Sequence, residues 1–135
     1  MVARPTAAVL SSAALTLGAA LVRGALAGVP TLGLLGRLAM AGFALSTGRP
    51  LHFTPDGTLT VLLYGGAVGA VIGLVVPLVR RRLPSGPLGG AALGALALAL
   101  ATPGIRPPWP RTFALFAPAF VAFGLLLARL WRNRK

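Results

Sequence analysis

Four apolar runs, each close to the length that crosses a bilayer, constrain this chain more than any other feature of it. An α-helix rises about 1.5 Å per residue and the hydrocarbon core is about 30 Å thick, so roughly 20 apolar residues make one crossing. The runs cover residues 6–27, 58–80, 87–104 and 112–131. The second is the cleanest, and the third is short and made almost wholly of Ala, Leu and Gly. Helices satisfy their own backbone hydrogen bonds, which lipid cannot do for them. The pattern therefore predicts an all-α fold: one small polytopic membrane domain over 1–135 with four transmembrane helices. A soluble fold of 135 residues, 56% of them hydrophobic and 10% charged, would be coated with apolar side chains it could not bury.

Residues 31–46, after Pro30, are ambiguous. Leu32, Leu34, Leu35, Leu38, Met40 and Phe43 are apolar, but Arg37 interrupts them. An Arg at mid-bilayer costs about 2.5–3.5 kcal/mol even on the lenient insertion scale. The expectation is an interfacial or re-entrant helix, with a fifth span as the alternative.

Charge is distributed as lopsidedly as hydropathy. Thirteen Lys and Arg face a single acid, Asp56, for a net charge of +12. The basic residues sit at the ends of apolar runs and the aromatics lie inside them, which speaks against a nucleic-acid-binding face. With four spans, Arg4, Arg80, Arg81, Arg82, Arg129, Arg132, Arg134 and Lys135 share one side, and Arg23, Arg37, Arg49, Arg106 and Arg111 the other. The richer side is expected in the cytoplasm of a cell (plasma or inner) membrane, and the Arg80–Arg82 loop and C-terminus stay together with five spans as well. Ala25-Leu26-Ala27 resembles a signal-peptide cleavage site, but Arg23 lies close to it, so the first helix is expected to be retained. Without cysteine the chain has no disulfide and no thiolate site. The Ala, Leu, Gly, Arg and Pro content fits a GC-rich bacterial genome.

Small residues mark helix contacts. Gly65, Gly69 and Gly73 recur every four residues and share one face, where another backbone can come close in the manner of a glycine zipper. Gly90 and Gly94 repeat the spacing, extended by Ala97, and Ala14 with Gly18 does so weakly. These faces either pack the helices of one subunit or form an oligomer or partner interface; spacing alone leaves both open. Phe113, Phe116, Phe120 and Phe123 form an aromatic stripe on the fourth run, read as a packing face or as a hydrophobic-ligand groove. Pro118 removes a backbone donor there and predicts a kink. Trp109 and Trp131, about 33 Å apart along a helix, suit interfacial anchors.

His52 and Asp56 are the only His and the only acid, close together before the second run. Pro55 and Asp56-Gly57 predict a turn, with Asp56 capping the helix that follows. One His makes no metal site and no serine sits in a nucleophile's context, so neither a metal, a cofactor nor an enzyme is expected. Arg80, Arg81, Arg82, Arg132, Arg134 and Lys135, with Arg129, are expected to meet anionic lipid headgroups. Arg23 and Arg37 are expected to snorkel to the interface, and Asp56 is their only possible acidic mate.

Phe53, Pro55, Gly57, Thr58, Leu59, Val61 and Gly65 resemble the start of the second helix in the small four-helix fluoride channels, which are also similar in size and basicity. Thr112, Phe113 and Phe116 resemble that family's Thr/Phe stretch. The resemblance covers a short part of the chain and implies an anion channel. Two departures accompany it: the family's Asn after Val61 is Leu62 here, and the Thr/Phe stretch falls in the fourth helix instead of the third. A pathway without that Asn lacks a donor inside the membrane.

The functional expectation is a non-catalytic membrane protein: an accessory or scaffold subunit bound to other membrane subunits, or a homo-oligomeric helical bundle. The alternative is a small ion channel or transporter, with Thr58, Thr60, Tyr64, Arg23 and Arg37 as its available polar groups.

Overall fold

A computed structural model of the chain describes residues 7–102 and 110–132, and every regular element among them is helical. Helix α1 (Ala7–Gly28) runs through a π-helical stretch (Val29–Leu35) into α2 (Gly36–Ser46) without a break. Gly48, with φ +66°, ends this first rod. Helix α3 (Pro55–Val79) follows, then a 3-10 turn of Arg80–Arg82, α4 (Pro87–Ala101) and α5 (Pro110–Arg132). Three later helices begin on a proline, whose missing N–H is harmless in a first turn. Gly86, at φ +82°, makes the bend before Pro87.

Among the described residues, three helical stretches are long and apolar enough to cross a membrane: Val9–Ser46, Pro55–Arg82 and Pro110–Arg132. Pro87–Ala101 is apolar but shorter, at 15 residues.

Instead of a span over 6–27 and a separate interfacial helix over 31–46, the structure has one rod. Its 38-residue apolar part is about 57 Å long, nearly twice the hydrocarbon thickness. Pro30 does not end it, because the wider π turn accommodates the ring and Thr31 Oγ1 donates to Ala27 O at 2.5 Å. The second expected span starts three residues early, at Pro55. Thr54, not Asp56, caps it, accepting from Gly57 N at 3.2 Å, while Asp56 lies inside the first turn. Helix α5 continues through Pro118.

Among the described residues the helices form two tight antiparallel pairs. In the first, Gly24 lies against Gly69 and Gly73, Gly28 against Gly65 and Gly69, and Gly33 against Gly65 and Leu62. A Cβ on Gly24 would overlap the Gly69 carbonyl and stand 2.9 Å from Gly73 Cα. The π stretch explains the spacing: Gly24 and Gly28 are four apart, Gly28 and Gly33 five, and the wider turn keeps Gly33 on the α3 side. In the second pair Gly124 of α5 lies against Gly90 and Gly94 of α4; a Cβ on it would be 2.9 Å from Gly94 Cα. A shared core of Ala20, Ile72, Val76, Leu93, Phe123 and Leu127 joins the pairs.

Candidate functional site

Helices α3 and α4 follow each other in sequence but hardly touch. A cavity of about 860 Å³ lies between the two pairs. Its walls are apolar, from Val68 and Val71 of α3, Ala97 and Leu100 of α4, and Phe116 and Phe120 of α5, with Leu32 and Met40 of the first rod also lining it. Three hydroxyls interrupt this lining, and that of Thr60 is satisfied by the backbone at Asp56 O. Thr112 Oγ1 is buried without a hydrogen-bond partner, and Tyr64 stands 71% exposed. Tyr64 lies about 14 Å along α3 from its start, within a stretch long and apolar enough to cross a membrane.

The phenylalanine stripe is divided. Phe116 and Phe120 line the cavity, Phe123 is fully buried in the core, and Phe113 is half-buried outside the lining. The glycines at four-residue spacing are all in contacts within the chain: Gly65, Gly69 and Gly73 against the first rod, Gly90 and Gly94 against α5. Their partners Gly24, Gly28, Gly33 and Gly124 escaped the sequence reading. Ala14 and Gly18 are not the contact face of α1, for a Cβ on Gly18 would meet nothing within 4 Å.

One end of the bundle is strongly basic. Arg80, Arg81, Arg82, Arg129 and Arg132 collect there; Arg134 and Lys135, expected to join them, lie outside the described residues, as do Arg4, Arg106 and Trp109. Arg23 belongs to this end, contrary to the expected sidedness. Its guanidinium stands 5.1 Å from the centroid of the Trp131 ring, and that of Arg80 stands 5.9 Å from it. Helical side chains lean toward the N-terminus, so Arg23 rises toward the start of α1, where α3 and α5 end. Trp131 is not an exposed anchor but is buried, at 7% exposure. Beside it a groove of about 740 Å³ runs between the end of α3, the 83–87 connection, α4 and α5. Arg80, Arg129 and Arg132 edge this groove, and Leu93, Ala122 and Leu126 wall it.

At the opposite end Arg37 holds the connection before α3, donating from Nη2 to His52 O at 3.0 Å and stacking 5.0 Å from the Phe53 centroid. Asp56 is the mate of neither Arg23 nor Arg37. The available polar groups for a pore are not brought together. Arg23 and Arg37 go to opposite ends, and the hydroxyls of Thr58 and Thr60 return to the backbone at Thr54 O and Asp56 O. Leu62, at the position of the fluoride-channel Asn, packs on Gly33. No protein family, curated protein or solved structure matches the chain.

Proposed function

We propose that this chain is a non-catalytic integral membrane protein that works by binding other membrane-embedded helices, as a subunit of a homo-oligomer or of a larger membrane complex. The observation that carries the proposal is the α3–α4 cleft, a space between two well-packed pairs that none of the described residues fills. A hydroxyl in hydrocarbon is poorly placed without a partner, and the cleft bears two, on Tyr64 and Thr112. A neighbouring helix seated there covers the apolar walls and offers backbone or side-chain acceptors to both. The small-residue faces are occupied within the subunit, so the partner surface moves from the glycines to this cleft.

In this reading all four apolar helices cross the cell membrane, α4 as a short span inside the bundle. The Arg80–Arg82 turn and the C-terminus face the cytoplasm. No specific observation among the described residues favours the channel alternative.

The test is native mass spectrometry of the chain extracted in mild detergent from its own membrane. The expected mass contains further copies or foreign subunits, and Ala67→Trp, which fills the cleft from α3, removes them while the chain stays inserted. A monomer carrying only lipid, identical for parent and variant, overturns the proposal.

A further inference from the structure

Asp56 is the only acidic residue of the chain, and it lies in the first turn of α3, whereas Arg80 follows the last. About 36 Å of helix separates them, so no acidic side chain reaches the basic end. The guanidiniums of Arg23, Arg80, Arg129 and Arg132 therefore gather there with no acidic side chain among the described residues to balance them. Trp131 Nε1 and, of those guanidiniums, Arg23 Nη1 are moreover buried without a hydrogen-bond partner. Buried donors are normally paired, and like charges brought together call for an anion.

The groove beside Trp131 adds a second kind of chemistry. Its rim is basic at Arg80, Arg129 and Arg132, but its walls are apolar and run as deep as Ala122 and Leu93. Ala122 lies about 15 Å along α5 from Arg132, half of the hydrocarbon thickness and hence the depth of one leaflet. A small hydrophilic anion would leave those walls uncovered.

We infer that this groove is a built site for one acidic phospholipid, its phosphodiester headgroup held by Arg80, Arg129 and Arg132 and one acyl chain laid against Leu93, Ala122 and Leu126. Arg81 and Arg82 carry the same charge at the same end but do not line the groove. They attract the membrane surface in general, whereas the groove selects a headgroup and a tail together. The site shares no lining residue with the α3–α4 cleft, so it stands or falls independently of the partner proposed there.

The experiment reconstitutes the full chain into phosphatidylcholine vesicles containing a minor share of phosphatidylglycerol, extracts it in mild detergent and weighs the retained lipid by native mass spectrometry. One phosphatidylglycerol per chain is expected, in preference to the more abundant zwitterionic lipid. The double variant Arg129→Gln, Arg132→Gln lowers its occupancy about tenfold or more, and both positions are exposed, so the core is left intact. The double variant Arg81→Gln, Arg82→Gln, with the same change in charge, leaves occupancy within about twofold, because it touches only the screened surface field. Ala122→Trp fills the apolar slot and lowers occupancy with every arginine present. Excess inorganic phosphate does not displace the lipid. Equal losses in the two arginine pairs would reduce the effect to surface attraction and overturn the site. Retention in Ala122→Trp would overturn the acyl slot, and displacement by inorganic phosphate would overturn the lipid in favour of a free anion.

Discussion

The guanidinium of Arg23, in α1, lies 5.1 Å from the ring centroid of Trp131, at the end of α5. That contact ties the first rod to the last helix and draws a charge from the body of α1 to the basic end of the bundle. Burial of the ring makes the contact worth more than an exposed stack, because little water competes for the cation.

Arg23→Gln is therefore expected to lower stability by about 1–2 kcal/mol, the range of a desolvated cation–π contact. Arg23→Lys keeps the charge and recovers part of it. Thermal unfolding followed by tryptophan fluorescence in a Trp109→Phe background reports on Trp131 alone. If Arg23→Gln unfolds together with the parent, the stack contributes nothing.

The α1–α3 contact is backbone on backbone, and this sets the cost of adding side chains. Gly69→Val would place a Cβ 2.8 Å from Gly28 Cα and against the Gly24 carbonyl, where no flexible group can give way. It is expected to destabilise the pair by about 3 kcal/mol or more. Gly18→Ala meets nothing within 4 Å and should stay within about 1 kcal/mol of the parent, on either side. Denaturation in mixed micelles, read by circular dichroism, compares the two; similar losses would contradict this packing.

Much of this architecture is written locally in the sequence. Apolar length alone marks the stretches that include α3 and α5, and four-residue spacing puts Gly65, Gly69 and Gly73 on one face. What is not local was not legible. Gly33 faces α3 because a π turn makes its five-residue step from Gly28 fall on the same side, and stepping three or four residues on from Gly28 passes over it. Gly124 has one small neighbour at helical spacing, Ala128, too little to mark a contact face; its place opposite Gly90 and Gly94 is set by tertiary register. Arg23 reads from the sequence as lying at the opposite end, because a residue near the end of an apolar run marks a boundary. The rod continues past it, and its side chain turns back toward Trp131. The α3–α4 cleft leaves no sequence signal, since its lining comes from four helices.

The π stretch rests partly on one hydroxyl. Thr31 Oγ1 donates to Ala27 O beside Pro30, which has no backbone N–H to offer. Thr31→Val removes that donor while keeping the branched shape, at an expected cost of about 1 kcal/mol, and Thr31→Ser retains most of the bond. The same micelle denaturation measures both. Equal stability of Thr31→Val and parent would show that the widened turn holds without it.

Orientation follows from the same charge asymmetry that shapes the basic end. Arg80, Arg81, Arg82, Arg129 and Arg132 lie at one end of the bundle, against Arg37, Arg49 and Arg111 toward the other. Excess Lys and Arg stay on the cytoplasmic side, so the 83–86 connection is expected in the cytoplasm and the connection before α3 outside. The chain has no cysteine, so single cysteines introduced at Ser85 and at exposed Leu51 give an unambiguous reading. A membrane-impermeant maleimide added to intact cells should label Leu51→Cys and spare Ser85→Cys, and Ser85→Cys should react once the cells are opened. Because α3 alone separates the two positions, labelling of both from outside would mean that α3 does not cross. Labelling of Ser85→Cys alone would invert the protein and place the basic groove on the outer leaflet.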